Sequence, residues 1–318
     1  MNPAVLEAYG KRFRSLRCDP DQGRPRPHKA VMLLSVISLI ESGRLASNRI
    51  VYDTDLTQIF ARFFELVRSG SDKFTPFNPF FHLKSEGFWH LHAVPGKEAV
   101  LSAISTIRGR GQLESVVAYA SLEEPLFILL ADPTSREVLR KTLIETYFPH
   151  RAAEVLSASL EESAISSAQQ ILEKGNTSAG PAVAEAIRDA AFGRTIRKVY
   201  DYTCALCGIR FVCDDVVLVD AAHLIPFAES RNDSPSNGIA LCKNHHWLMD
   251  KSLVAPGPAP NGDYAHPIWH ISDALDSRLE AHRACMEYKR RPLLLPRDHQ
   301  FHPMQTALDW RMDHLRVG

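Results

Sequence analysis

The tightest constraint on how this chain can fold is the string CALC at 204–207, answered by LCKNHH at 241–246. Cys204 and Cys207 form one pair at two-residue spacing, and Cys242 with His245 forms another. Each pair can grip one metal ion from a tight turn, and two such pairs make a closed Cys3His set, the composition of a structural zinc site. Thiolate ligands and closed geometry select zinc over magnesium or calcium. His245 preserves the pairing, which leaves His246 to face elsewhere. Cys213 fits neither pair, and Cys18 and Cys285 read as ordinary thiols. Four of six cysteines in one window of about forty residues do not resemble a secreted disulfide framework, so an intracellular, cytoplasmic protein is expected. No apolar run approaches the roughly 20 residues a bilayer span needs, and the N-terminus carries no secretory pattern.

Across 318 residues, 37 Lys plus Arg balance 37 Asp plus Glu, which argues against a generally basic nucleic-acid binder but says nothing of local patches. The length suits two domains. Helical spacing of apolar residues appears over 4–17, from His28 to Gly43, after Asp53, over 124–131 and over 134–147. Residues 44–52 suggest a wing or strand, and the alternating aromatic and polar residues of 78–96 predict a β-hairpin turning at Glu86 and Gly87. A connecting helix is expected over 151–174, followed by the linker string GNTSAGP at 175–181. The organisation is therefore 1–150, a connector and linker over 151–181, and a second domain over 182–318. An amphipathic helix over 303–315 closes the chain.

Between the two metal-binding pairs lie VLVDAAHLIPF at 217–227 and SPSNGIALC at 234–242, and His246 follows directly after His245. His223, Asn237 and His246 inside this frame resemble an HNH nuclease, with its ββα-metal motif, over about residues 192–252. The resemblance implies that His223, at the end of an apolar strand, is the general base. It implies that His246 binds a catalytic divalent cation and that Asn237 fixes the loop or the base, or approaches the metal. Phosphodiester hydrolysis needs these parts: an activated water and a cation on the developing negative charge. Many members carry a metal-binding residue directly before the base, where this chain has Ala222. Asp220, on the same side of a strand as Ala222, could supply the carboxylate. Asp250, four residues after His246 on a helix, is the competitor. A histidine with one or two carboxylates fits magnesium or manganese. Upstream, Arg188, Arg194, Arg197, Lys198 and Tyr200 form a helical basic face suited to phosphates.

In the first domain, residues 11–29 hold seven Lys or Arg against Asp19 and Asp21. RPRPHKAVMLL at 24–34 and NPFFHLKSEGFW at 78–89 resemble the sulfur-binding domain of some type IV, modification-dependent restriction endonucleases. That resemblance implies that Arg26, His28, Lys29, Asn78, Pro79 and His82 contact a phosphorothioate in the DNA backbone. Sulfur in place of a non-bridging oxygen is larger and less hydrated, so an apolar cup around Pro79 would desolvate it readily, while cations meet the remaining charge. Lys29 stands where the family has arginine, and Asn78 where it has an aromatic residue.

The whole is expected to be α+β: a mainly helical N-terminal domain with a small hairpin or sheet, joined to a zinc-stabilised ββα-metal domain. The expected activity is a restriction endonuclease acting on phosphorothioated double-stranded DNA. One such site cuts one strand at a time, so double-strand cleavage implies a homodimer. Two alternatives remain open from the sequence: a nuclease reading methylated bases or an unmodified sequence, and a non-catalytic zinc-stabilised DNA-binding regulator.

Overall fold

A computed structural model describes residues 3–21, 24–176, 178 and 183–318, and the chain divides into two compact units, Met1–Ala164 and Ile165–Gly318. Thr177 and 179–182, in and just after the expected linker, lie outside the described residues.

Among its described residues the first unit contains α1 (Pro3–Arg14), α2 (His28–Glu41), α3 (Thr54–Val67), α4 (Phe77–His82), α5 (Glu98–Ala103), α6 (Arg110–Val116), α7 (Glu124–Ala131) and α8 (Pro133–Tyr147), with small antiparallel ribbons. The ribbons pair β1 (Pro20–Asp21) with β2 (Arg24–Pro25), and β3 (Trp89–Ala93) with β4 (Val117–Leu122). α2 is buried without a break from Ala30 to Ile40, so it is the axis on which α3, α7 and α8 pack. Helix starts follow local chemistry: the Asp53 carboxylate accepts from the Leu56 amide at 2.9 Å, and Asp132 accepts from Ser135 at 2.8 Å just ahead of Pro133.

The hairpin expected over 78–96 is not formed. Residues 77–82 are helical, a 3-10 turn follows over Leu83–Glu86, and Gly87 closes it at φ +77. The alternation misled because Phe80 and Phe81 are both buried, which a strand with one wet face does not allow. Only Trp89–Ala93 is extended, and its partner lies beyond two further helices, in the register Trp89↔Leu122 to His92↔Tyr119. The expected wing over 44–52 reduces to a single bridge, Ile50↔Ala120.

α9 (Ala152–Glu173) gives Val155 and Ala158 to the first core and Ile165, Ala168 and Leu172 to the second. The second unit continues with α10 (Glu185–Val199), β5 (Val212–Cys213), β6 (Val216–Val217), β7 (Val219–His223), α11 (Phe227–Ser230), β8 (Gly238–Cys242) and α12 (Lys243–Asp250). β9 (Val254–Gly257), β10 (Ile268–Ile271), α13 (Glu280–Met286) and α14 (Gln305–Asp313) complete it. β7 and β8 are antiparallel, from Val219↔Cys242 to His223↔Gly238, and α12 leaves directly from the end of β8. This is the expected ββα arrangement, with α10 packed across the strand pair and α14 against β9. Among the described residues no helix is long and apolar enough to cross a membrane.

Gly238 marks the closest approach of α10 to the strands: a Cβ there would lie 2.7 Å from Ile196 Cγ1 and 2.9 Å from Phe192 Cζ. Gly238→Ala should therefore destabilise the second unit by about 1–3 kcal/mol through overpacking. A lowered urea midpoint for that unit's unfolding transition, with an unchanged slope, is the expected readout.

Candidate functional site

Cys204 and Cys207 sit on a knuckle in which the Gly208 amide donates to the Cys204 carbonyl and the Cys204 amide donates to the Ile209 carbonyl, both at 2.9 Å. Gly208 adopts φ +76 to close the turn. Cys242 ends β8 and stands at the N-cap of α12, so the first turn of that helix carries His245 back toward the knuckle. The donor atoms of Cys204, Cys207, Cys242 and His245 all lie within 4.8 Å of one another. His245 Nδ1 is 3.2 Å from Cys242 Sγ and 3.4 Å from Cys204 Sγ, with the Tyr288 ring edge-on to the imidazole at 4.9 Å. Burial pushes the Cys204 and Cys242 thiols up and the His245 imidazole down. Burial thus favours the neutral form of all three groups. Cys213 is exposed and stands apart from this set.

The second cluster occupies a cleft of about 580 Å³ whose lining includes His223, His246, Asp220, Arg188, Arg197 and Arg231. His223 ends β7, its ring flat on Phe192 at 3.8 Å and 2°, with Nε2 3.0 Å from Asp233 Oδ1. Arg188 lies over the Phe227 ring at 3.5 Å and its Nε is 3.4 Å from Asp233 Oδ2. Arg197 Nε is buried in the cleft wall and makes no hydrogen bond. The basic face expected on α10 thus divides. Arg188 and Arg197 reach the cleft, Lys198 pairs with Glu173 at 3.1 Å, and Tyr200 is a core residue.

His246 stands between two carboxylates on opposite ring edges, Asp220 Oδ2 at 3.7 Å from Nδ1 and Asp250 Oδ2 at 3.6 Å from Nε2. Asp220 also takes the Lys243 ammonium at 2.6 Å and lines the cleft, whereas Asp250 is 55% exposed outside it. Ala222 is buried in the core. Asn237 is fully buried and clamps the loop. Its Oδ1 accepts from the Ile225 amide at 2.9 Å, and its Nδ2 donates to the carbonyls of Ile225 and Asn232, both at 3.0 Å. From α14, buried Arg311 donates to the His223 carbonyl at 2.7 Å and to the Met249 carbonyl at 3.2 Å. Asp233, Arg231 and Arg311 escaped the sequence reading. Asp233 follows a left-handed Arg231 (φ 50), a conformation that no local string announces.

In the first unit, Arg26, His28, Lys29, Asn78, Pro79 and His82 all line one cleft of about 900 Å³, with Arg17, Lys73 and Ile107 among its other walls. Pro79 is buried on α4, and so presents a helical rather than a hairpin-edge apolar surface. Lys29 is paired with Glu86, their side chains only 11% and 6% exposed. Arg26 Nη1 lies 3.8 Å from Asp72. The His28 ring packs on Phe64 at 4.9 Å with Nε2 2.8 Å from the Lys73 carbonyl, and burial lowers its pKa. The cations of the cleft are therefore the arginines and lysines, with His28 a neutral wall.

Residues 204–255 match the HNH endonuclease family, and residues 7–161 match the ScoMcrA-like DNA sulfur-binding domain. Among solved structures, the chain is similar to the sulfur binding domain of SprMcrA complexed with phosphorothioated DNA, at 18% identity and TM-score 0.36, over 48% of this chain and 94% of that one. It is also similar to the modification dependent TagI restriction endonuclease, at 19% identity and TM-score 0.30, over 43% of this chain and 41% of that one. A search of curated proteins found no match. The chain thus carries, one after the other, a region matching a DNA sulfur-binding domain and a region matching an HNH endonuclease domain.

Two outcomes follow from these sites. Chelation, or Cys204→Ser, should melt the second unit at a lower temperature and leave the transition of the first unit in place, as calorimetry of the full chain would resolve. Burial also lowers both His28 and His82 in the folded first unit. The unfolded chain then binds more protons once pH falls through about 6.5, so stability declines on acidification from pH 7 to 5. His28→Asn should flatten that slope in melting temperatures measured across the range.

Proposed function

We propose that the chain recognises a phosphorothioate in double-stranded DNA through the first-unit cleft and hydrolyses the DNA backbone at the His223–His246 cleft. The observation that carries this is the pairing, in one chain, of a sulfur-binding domain whose six expected contact residues line one cleft with a ββα site whose two histidines line another. Buried Pro79 and neighbouring Ile107 offer apolar surface to a poorly hydrated sulfur, while Arg17, Arg26, Lys29 and Lys73 face the remaining phosphate charge. Arginine and lysine contacts of this kind hold register on the backbone and carry no base code.

The Cys204, Cys207, Cys242 and His245 set fits zinc. A tetrahedron with Zn–S near 2.3 Å and Zn–N near 2.0 Å has S···N edges of about 3.5 Å. The 3.2 and 3.4 Å separations at His245 lie close to that value. In the cleft, His246 with Asp220 is a hard nitrogen and oxygen set suited to magnesium or manganese. Asp250, 3.6 Å from the other ring nitrogen and more exposed, is the alternative carboxylate for the ion. When bound there, a divalent cation neutralises charge gathering on the phosphate and on the leaving oxygen.

The chain's own groups do the rest. His223 accepts a proton from water as the water oxygen bonds to phosphorus and the bond from phosphorus to the leaving sugar oxygen breaks. That oxygen takes a proton from solvent. Arg188, Arg197 and Arg231 place positive charge along the cleft for the phosphates of the strand being cut. One such site opens one strand, so two copies acting together would give a double-strand break.

Matched plasmids with and without phosphorothioation, incubated with magnesium or manganese, test this reading. Cutting confined to the sulfur-bearing plasmid and lost in His223→Ala is expected. Equal cutting of both would remove the sulfur dependence, and cutting governed by base methylation would favour a base reader. Equal behaviour of wild type and His223→Ala would remove the nuclease mechanism.

A further inference from the structure

We propose that Asp233 is a positioning residue that selects Nδ1 of His223 as the nitrogen that takes the proton from water, with Arg188 as the charge partner that aims the carboxylate. The proposal rests on the nuclease reading above and deepens it.

Asp233 is 1% exposed, in a loop rather than a sheet or helix. An aspartate in such a loop commonly accepts from nearby backbone amides to make a turn. Among the described residues, Asp233 does not. Oδ1 faces His223 Nε2 at 3.0 Å, while Oδ2 makes no hydrogen bond and faces Arg188 Nε at 3.4 Å. The turn is stabilised by its neighbours instead: the Asn232 side chain accepts from the Ser234 amide at 2.8 Å, and Asn237 holds the Asn232 carbonyl at 3.0 Å. The loop is thus built by other side chains, and the carboxylate it carries is left for the histidine.

A carboxylate can only accept, so Nε2 carries the hydrogen and neutral His223 presents a bare Nδ1. The ring has little freedom to choose otherwise. Phe192 lies flat against it at 3.8 Å, Phe227 closes from the side at 6.0 Å, and Arg311 holds the carbonyl of the same residue. When Nδ1 takes a proton from water, Asp233 faces the resulting imidazolium. When that proton leaves to solvent, the same tautomer returns. Asn237, the loop, Asp233 and His223 form one chain of positioning, which gives the buried asparagine a catalytic consequence without contact with the reacting atoms.

Arg188 makes Asp233→Asn a sharp test. An amide between a guanidinium and an imidazole turns its oxygen to the former and its NH2 to the latter. Nε2 must then accept, and the hydrogen moves to Nδ1. Long-range ¹H–¹⁵N spectra of the full-length, histidine-labelled protein, with His223 assigned by its loss in His223→Gln, should show an Nε2–H tautomer in wild type and an Nδ1–H tautomer in Asp233→Asn. On phosphorothioated DNA, kcat should fall by roughly 10²-fold or more with KM within about threefold. Metal content at the cysteine set should not change. In Asp233→Ala, added formate should restore part of kcat.

An unchanged tautomer in Asp233→Asn would overturn the proposal whatever the rate. So would a wild-type kcat in that variant, or a loss of rate carried by KM alone. Were wild type to show the Asp233-dependent tautomer and cut no DNA, the nuclease reading would fall and the positioning would stand.

Discussion

The second unit depends on four side chains meeting at a point. Its ββα motif is two five-residue strands and an eight-residue helix, short elements that share one core with α10 and the segments that follow. Three thiols and an imidazole from segments about thirty-five residues apart are gathered in a partly dry pocket, where burial alone disfavours the charged thiolates. A shared cation would offset that cost. Once it is fixed, the end of β8 and the start of α12 are fixed with it. His246 is then placed by its position one residue beyond the ligand His245.

That dependence explains what could be read from the sequence and what could not. Ligand spacing is set by covalent geometry along a turn, so the Cys204, Cys207, Cys242 and His245 set was legible, as were helices with capping residues such as Asp53 and Asp132. The strings around His223, Asn237 and His246 are short and contiguous, and they fall within the 204–255 match to the HNH endonuclease family. The hairpin over 78–96 was misjudged because alternation measures which side chains are apolar, not which faces are wet. With α2 buried on every side, neighbouring segments can bury consecutive residues such as Phe80 and Phe81. Asp233 and Arg311 act on His223 from 10 and 88 residues away, a relation held only in tertiary packing.

The zero net charge takes on a local meaning. In the first-unit cleft the positive strip is largely answered by acids, Lys29 by Glu86 and Arg24 and Arg26 by Asp72. The positive charge of this surface is therefore already partly neutralised from within the chain, which would limit the gain from ordinary phosphates. A ligand that also gains from the apolar wall around Pro79 has an advantage that charge alone does not give. At the His223–His246 cleft the balance differs, since Arg197 Nε has no hydrogen-bond partner among the described residues and three arginines are among the lining residues. The two clefts thus have different electrostatic character within one neutral chain.

Arg311 binds two carbonyls, one at the end of the strand bearing His223 and one in the helix bearing His246, yet it lies some sixty residues beyond that helix in the sequence. During synthesis the sulfur-reading unit emerges first, then the metal-binding quartet and both histidines, all before the side chain that joins strand to helix exists. A nascent second unit can therefore hold both histidines of the cleft and still lack the side chain that ties the strand of one to the helix of the other.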